Sequence, residues 1–224
     1  MTTAKEMAKL IANGENIVFL TGAGVSTPSG IPDYRSMDGI YTTSGLKEPE
    51  YLLSRQAMLH DTEDFYRFIK QLYRTGARPN AIHEKMSQLG TVITQNIDGL
   101  HGEDAIEFHG TLKTCRCESC QTALDFEAFL KDCRHENCGG TIRPDVVLYD
   151  EEINYDDIVK AQRVLQAADT VVIVGTSFKV HPFASLIYAA NEDARIYAIN
   201  KDPIDFPGLW ESYEGDAMDV FELL

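Results

Sequence analysis

Four short apolar segments of this chain each end in small or polar residues. They predict strands at 16–20, 91–94, 170–174 and 195–199, and each is followed by glycine, amide or hydroxyl side chains. Strands that are apolar throughout are typical of a parallel sheet that is covered by helices on both faces. Such a sheet presents a ligand site at the carboxyl ends of its strands. The sequence therefore predicts an α/β fold, a Rossmann-like parallel sheet with helices on both faces.

The first predicted strand runs into a turn that contains Gly22, Gly24 and Gly30. Glycine has no Cβ and adopts positive φ freely, so Gly22 and Gly24 let main-chain N–H groups approach a pyrophosphate closely. The turn lacks the third glycine at the spacing of the dinucleotide-binding fingerprint, and an ordinary tight turn between strand and helix is the alternative.

The charge balance excludes some classes of partner. The chain has 20 Lys and Arg against 35 Asp and Glu, a net charge of −15, which repels nucleic acid and anionic membranes. No apolar run approaches the roughly 20 residues that span a bilayer, and the N-terminal residues do not resemble a signal peptide. We expect a cytoplasmic monomer that binds neither nucleic acid nor membranes.

All five cysteines lie between residues 115 and 138, inside an apparent insert at 111–142. The predicted domains are thus a nucleotide-binding domain, 1–110 and 143–224, and a small metal-binding domain. Cys117, Cys120, Cys133 and Cys138 are the expected ligands of one zinc ion, because paired thiolates suit tetrahedral zinc. His135 is the alternative to Cys133, since His135-x2-Cys138 has the usual knuckle spacing. Four protein ligands predict a structural ion rather than a catalytic one.

The chain resembles the sirtuins, the NAD-dependent protein-lysine deacylases, over nearly its whole length. The resemblance rests on motifs in the family's order. They are GAGVSTPSGIPDYRSMDGIY at 22–41, RPNAIH at 78–83, TQNIDGLH at 94–101, EFHG at 107–110, RPDVVLYDE at 143–151 and VGTSFKVHP at 174–182, together with the cysteine insert.

The resemblance implies roles for the residues that match these motifs. His109 is expected to be the catalytic base, and His83 and His101 are expected to be packing or capping residues. Asn96 and Asp98 are expected to act in catalysis at the nicotinamide ribose. The expected NAD-binding residues are Gly22, Ala23, Gly24, Ser26, Asp33, Tyr34, Arg35, Gln95, Asn96, Asp98, His109, Gly175, Thr176, Ser177, Asn200 and Ala217.

The resemblance also implies a reaction and a substrate. An acyl-lysine peptide would add as a strand beside Val146 and Val147, and the products would be nicotinamide, free lysine and O-acyl-ADP-ribose. Tyr66-x-x-Ile69 replaces the Tyr-x-x-Arg of family members that remove succinyl groups, which predicts acetyl or apolar acyl chains. An NAD-dependent protein ADP-ribosyltransferase is the alternative function, and a non-catalytic NAD sensor is a second one.

Three features depart from the family's pattern. Tyr34 stands where the family usually has Phe, and Tyr149-Asp150-Glu151 stands where it usually has Phe-Gly-Glu. The link from Gly99 to Glu107 is shorter than usual. None of these changes removes a predicted catalytic group.

Overall fold

The computed structural model describes residues 2–32, 48–73 and 76–224. Its α-helices are α1 (Ala4–Ala12), α2 (Pro49–Leu52), α3 (Arg55–His60), α4 (Thr62–Leu72), α5 (Ala81–Leu89), α6 (Phe126–Lys131), α7 (Tyr155–Gln166) and α8 (Ala217–Phe221). Its strands are β1 (Ile17–Thr21), β2 (Gly90–Thr94), β3 (Ile106–Glu107), β4 (Gly110–Cys117), β5 (Ala123–Asp125), β6 (Ile142–Val146), β7 (Thr170–Val174), β8 (Arg195–Asn200) and β9 (Glu211–Glu214). Short 3-10 helices span Ala23–Val25, Thr27–Ser29 and Phe183–Ala189.

The larger sheet is parallel and has the strand order β3-β2-β1-β7-β8-β9. The predicted α/β fold is therefore confirmed, and all four predicted strands lie in this sheet. Strand β1 is central: Phe19 pairs in register with Val92 of β2 on one side and with Val172 of β7 on the other. The order of the strands along the chain reverses here, which is where open parallel sheets bind their ligands.

Two apolar cores cover the two faces of this sheet. Side chains along a strand alternate between faces. Ile17 and Phe19 therefore join the core beneath α1, α5 and α8, whereas Val18 and Leu20 join the core beneath α7 and the 3-10 helix Phe183–Ala189. Every residue of β1 is buried, as its continuous apolar sequence predicts.

A smaller antiparallel sheet, in the order β5-β4-β6, forms the second module. Its core also contains residues of the helices between 49 and 72, such as Phe65 and Ile69, packed with Phe126 and Phe129. The insert predicted at 111–142 therefore shares a core with the helices between residues 49 and 72. Strand β6 continues to Val146, beyond the predicted end of the insert at residue 142. Within the described ranges, no helix is long and apolar enough to cross a membrane.

A tight turn follows β6. Asp150 occupies the position in this turn where glycine was expected. The N–H of Glu151 donates to the carbonyl of Leu148 at 3.0 Å, and Asp150 has φ +72°. A positive φ at the third position of such a turn is normally taken by glycine. Asp150 therefore preserves the geometry of the turn at the cost of a left-handed conformation, which L-residues with a Cβ disfavour.

We predict that Asp150→Gly stabilises the protein and that Asp150→Ala destabilises it. Glycine adopts the left-handed conformation without a steric penalty, so the free energy of unfolding of Asp150→Gly should exceed that of the wild type by about 0.5–1 kcal/mol. The free energy of unfolding of Asp150→Ala should be lower than that of the wild type by about 1 kcal/mol. Urea unfolding of the three proteins measures both changes. Equal effects of the two substitutions would show that the left-handed conformation is not the cause.

Candidate active site and metal centre

The turns after β1, β2 and β7 meet at the carboxyl edge of the large sheet. The N–H of Gly22 donates to the carbonyl of Val174 at 3.1 Å, and the N–H of Gln95 donates to that of Thr21 at 3.1 Å. Each turn is thus anchored to the end of the neighbouring strand. Of the residues that the sequence assigned to one ligand site, Gly22, Gly24, Gln95 and Gly175 are brought together here.

Gly24 and Gly175 are packed backbone against backbone. The N–H of Gly24 donates to the carbonyl of Gly175 at 2.8 Å, and a Cβ on Gly24 would lie 2.7 Å from the Cα of Gly175. The N–H groups of Gly22 and Gly24 therefore both donate to carbonyls at the end of β7. The N–H of Ala23 has no acceptor among the described residues and is the backbone donor that remains.

Ser26, Asn96 and Asp98 form one hydrogen-bonded group under this turn. The hydroxyl of Ser26 donates to Asp98 Oδ2 at 2.7 Å. The amide of Asn96 donates to Ser26 Oγ at 3.2 Å and to the carbonyl of Gly22 at 3.0 Å. Ser26 and Asn96 are both buried. The three side chains therefore have fixed orientations before any ligand binds.

His83 is part of this group, which the sequence did not predict. The N–H of Asn80 donates to His83 Nδ1 at 3.2 Å, so the ring proton is on Nε2, 3.3 Å from Ser26 Oγ. Burial lowers the pKa of His83, which keeps the ring neutral at physiological pH. His83 caps a helix as expected, but it also orients Ser26. The Asn80-x-x-His83 spacing indicated the cap but not the contact with Ser26, because that contact depends on the tertiary fold.

His101 lies against the same group. Its Nε2 is 3.1 Å from Thr21 Oγ1, and its Nδ1 is buried with no partner among the residues described. Burial, with smaller effects from His83 and Lys113, lowers the pKa of His101 to about 3. His101 is thus a neutral packing residue, in agreement with its expected role.

Gln95 connects the ends of β2 and β7. Its side-chain amide donates to Thr176 Oγ1 at 2.6 Å, and that oxygen also accepts from the N–H of Phe178 at 3.0 Å. Phe178 has φ +54°, an uncommon conformation for a bulky residue. The hydroxyl of Thr176 therefore fixes both the amide of Gln95 and the turn that follows β7.

The expected adenosine-binding residues surround the ends of β7 and β8. Ser177 is exposed, and Asn200 is buried with its amide donating to the carbonyl of Asp202 at 2.9 Å. Ala217 begins α8 and its side chain belongs to the first core. Contact between Ala217 and a nucleotide would therefore involve its backbone.

His109 follows β3 at the same edge of the sheet. Its Nδ1 lies 3.2 Å from the carbonyl oxygen of Gln95. A carbonyl only accepts, so Nδ1 carries the proton and Nε2 retains a free lone pair. Burial lowers the pKa of His109, although the bond to Gln95 opposes that shift. The ring is therefore a neutral base with a fixed tautomer.

The segment predicted to bind the peptide, Val146 and Val147, lies directly beside His109. The N–H of Val147 donates to the carbonyl of His109 at 2.8 Å, and Val146 pairs with Gly110. The side chain of Val146 is buried in the second core, whereas Val147 is partly exposed. His109 and the segment predicted to bind the peptide are therefore held to each other by the backbone.

The residues predicted to contact the acyl group lie on α4. Ile69 is fully buried in the second core. The ring of Tyr66 packs 4.7 Å from that of Phe129, and its hydroxyl is buried without a partner among the described side chains. Tyr66 is thus the member of this pair that retains an unused polar atom. Asp33, Tyr34 and Arg35, which were predicted to bind NAD, lie outside the described residues.

The metal centre contains Cys117, Cys120, His135 and Cys138. Their ligand atoms all lie within 4.8 Å of one another. His135 and Cys138 share one tight turn, because the N–H of Cys138 donates to the carbonyl of His135 at 3.3 Å. Cys133 precedes that turn and is not in the cluster. The prediction of Cys133 as the fourth ligand is therefore wrong, and His135 takes its place.

The geometry of the cluster fits a zinc ion. The sulfurs of Cys117 and Cys138 are 3.4 Å apart, and Nδ1 of His135 is 3.2 Å from Sγ of Cys120. Zn–S bonds of about 2.3 Å place tetrahedral thiolates about 3.8 Å apart, close to these separations. Cys115 is fully buried, and burial raises the pKa of its thiol to about 11. Cys115 is therefore a protonated core residue rather than a ligand.

Comparison with known sequences identifies close relatives. A model of the Sir2 family matches residues 22–182. The chain is 45% identical over 227 residues to an NAD-dependent protein deacetylase of Listeria monocytogenes, with 97% of this chain and 98% of the relative covered. It is 43% identical over 228 residues to an NAD-dependent protein deacetylase of Enterococcus faecalis, with 98% and 95% covered.

Solved structures give the same result. A Sir2 homologue in complex with NAD superposes with a TM-score of 0.86 at 32% identity, covering 98% of this chain and 91% of that chain. A Sir2 variant with a deacetylated p53 peptide and acetyl ADP ribose superposes with a TM-score of 0.86 at 28% identity, covering 99% and 97%.

We predict that Cys133→Ser leaves the metal content unchanged and that His135→Ala reduces it. Only the second substitution removes one of the four clustered ligands, and a lost ligand weakens a structural site strongly. Zinc per chain, measured by atomic emission after dialysis against a weak chelator, distinguishes the variants. Loss of zinc from Cys133→Ser with retention in His135→Ala would restore the all-cysteine site.

Proposed function

This chain belongs to the Sir2 family and is an NAD-dependent protein deacetylase, and we propose that His109 is the general base of its reaction. The observation that carries this assignment is the contact of His109 Nδ1 with the carbonyl of Gln95 at 3.2 Å. This contact leaves Nε2 free to take a proton from a ribose hydroxyl. Burial lowers the pKa of His109 below its ordinary value, so the imidazole is neutral and can accept a proton at neutral pH.

The residues at the sheet edge fit NAD as co-substrate. The donors and acceptors of Gln95, Asn96 and Asp98 suit ribose hydroxyls and a carboxamide. The N–H of Ala23, which has no acceptor among the described residues, suits a phosphate oxygen. NAD supplies the ribose that accepts the acyl group and nicotinamide as the leaving group. The protein's part is to hold the two substrates in line and to place His109 beside the reacting hydroxyl.

The acyl-lysine strand is proposed to lie beside Val147. This position would bring the lysine side chain toward His109, because the two residues are joined by the hydrogen bond from Val147 N–H to His109 carbonyl. Strand β6 is an edge strand of the smaller sheet, and sheet edges are common binding sites for extended peptides. The ADP-ribosyltransferase alternative is disfavoured by the relatives, which are named as deacetylases.

The zinc ion is proposed to be structural. All four ligands of the cluster come from the protein, which leaves no open coordination position for substrate. We further propose that the protein acts as a cytoplasmic monomer and does not bind nucleic acid. Its net charge of −15 supports the last point, since phosphate backbones would be repelled.

We predict that His109→Ala lowers kcat by about 100-fold or more, as expected for loss of a general base. In the wild-type protein the acid limb of kcat/KM should have an apparent pKa below 6.5, because burial disfavours the protonated, inactive ring. The value of kcat/KM should therefore remain high at pH 6.5 and fall only at a lower pH, where His109 becomes protonated. Nicotinamide release across pH 5–8 measures both effects.

His60→Ala is the matched control, since His60 is an exposed histidine at the end of α3. It should retain the activity and the pH profile of the wild type. An acid limb above 6.5, or full activity of His109→Ala, would contradict the assignment of the base.

We predict that an acetyl-lysine peptide is turned over about tenfold or more faster than its succinyl counterpart. Ile69 provides no positive charge, and burying a carboxylate without a partner costs several kcal/mol. Comparison of kcat/KM for the two peptides tests this. Lys70 lies with its Nζ 4.4 Å from the centre of the Tyr66 ring, so Lys70→Ala is the informative control if succinyl removal is fast. Loss of that activity in Lys70→Ala would identify Lys70 as the partner of the carboxylate.

A further inference from the structure

A buried arginine contacts the segment of the enzyme that is proposed to bind the substrate peptide. Arg143 is 2% exposed, and its guanidinium donates to both carboxylate oxygens of Glu151, at 2.6 and 2.9 Å. The same guanidinium donates to the carbonyls of Val146 at 2.7 Å and Pro144 at 3.2 Å. A bidentate contact of this kind fixes orientation as well as charge. Arg143 therefore ties the end of β6 to the turn that follows it.

Glu151 holds the other side of that turn. Its Oε2 accepts from the N–H of Leu148 at 3.0 Å, in addition to its contacts with Arg143. Burial alone would raise the pKa of Glu151, but the hydrogen bonds and charge of Arg143 outweigh it and lower the pKa to about 2. Glu151 is therefore ionised throughout the working pH range, and the pair is permanently charged.

Two further charged residues extend the pair to neighbouring elements. Glu118 lies between the zinc ligands Cys117 and Cys120, and its Oε1 is 3.3 Å from Arg143 Nη1. Arg55 of α3 donates to Glu151 Oε1 at 3.1 Å. We call Arg143, Glu151, Glu118 and Arg55 the charge clamp. It joins the metal-binding turn, the end of β6 and α3.

The clamp determines which backbone atoms of residues 146–149 are available. The N–H groups of Val147, Leu148 and Tyr149 are all occupied, by His109, Glu151 and Leu53. The carbonyls of Val146, Leu148 and Tyr149 accept from Arg143, Glu151 and Arg55. Within the part of the chain that the structure describes, the carbonyl of Val147 alone in this set has no donor.

We propose that Arg143 and Glu151 are positioning residues for the protein substrate, because they hold the 146–149 segment so that the carbonyl of Val147 accepts a backbone N–H of the acyl-lysine peptide. The proposal rests on the proposed function, in which the peptide lies beside Val147. Neither residue touches the reacting atoms. Their effect should depend on the peptide backbone that flanks the lysine and should not extend to NAD.

The test compares two substrates with the zinc-loaded full chain. One is an acetylated peptide of about ten residues, and the other is a single Nε-acetyl-lysine with blocked ends, which has little flanking backbone. Glu151→Gln should raise KM for the peptide about tenfold, because a misplaced 146–149 segment weakens the hydrogen bond from the peptide to the carbonyl of Val147. It should leave kcat/KM for the single residue and KM for NAD near the wild-type values.

Glu152→Gln is the matched control. Glu152 is the next residue, is exposed, and its substitution changes the net charge by the same amount. It should not change KM for either substrate. Arg55→Gln is a second variant, which removes the half-exposed residue of the charge clamp and leaves Arg143 and Glu151 in place. It should raise KM for the peptide but not for the single residue. This variant keeps the proposal testable if Glu151→Gln fails to fold.

The outcomes separate the two proposals. If the wild type fails to deacetylate either substrate, the proposed function is wrong. If the wild type is active but Glu151→Gln and Arg55→Gln affect both substrates equally, or affect neither, the positioning role is wrong. A selective rise in KM for the peptide in either variant, with no change in Glu152→Gln, supports it.

Discussion

The close contact between Gly24 and Gly175 is the constraint on which the site depends. It brings the turns after β1 and β7 to within one hydrogen bond of each other, 2.8 Å from N–H to carbonyl. A side chain at either position would meet the other turn's backbone. Because the two turns are held this close, the side chain of Gln95, which follows β2, reaches Thr176 after β7 across the end of β1. Separating the turns would break this contact.

The sequence predicted the larger features of this arrangement because they depend on local patterns. Continuous apolar strands followed by polar residues indicated a parallel sheet and the edge that carries the site. Strands β3 and β9 were not predicted, since β3 has only two residues and β9 carries three polar side chains out of four. Their pairing depends on neighbours that are distant along the chain.

The errors at the site have the same origin. Gly22 and Gly24 were recognised as essential to a tight turn, but the sequence did not indicate that their N–H groups donate to the carbonyls of Val174 and Gly175. Cys133 and His135 both had plausible ligand spacing, and the choice between them depends on which one lies in the turn with Cys138. Spacing along the chain gives possible ligands, whereas the path of the backbone selects among them.

Gln95 divides its two functional groups between two neighbours. Its backbone carbonyl fixes the tautomer of His109, and its side-chain amide bonds to Thr176. Because the carbonyl belongs to the backbone, the orientation of His109 does not depend on which side chain occupies position 95. The side chain can therefore move to contact a ligand without releasing His109. The Ser26, Asn96 and Asp98 group is held separately by His83, so a change in one network need not disturb the protonation of the other.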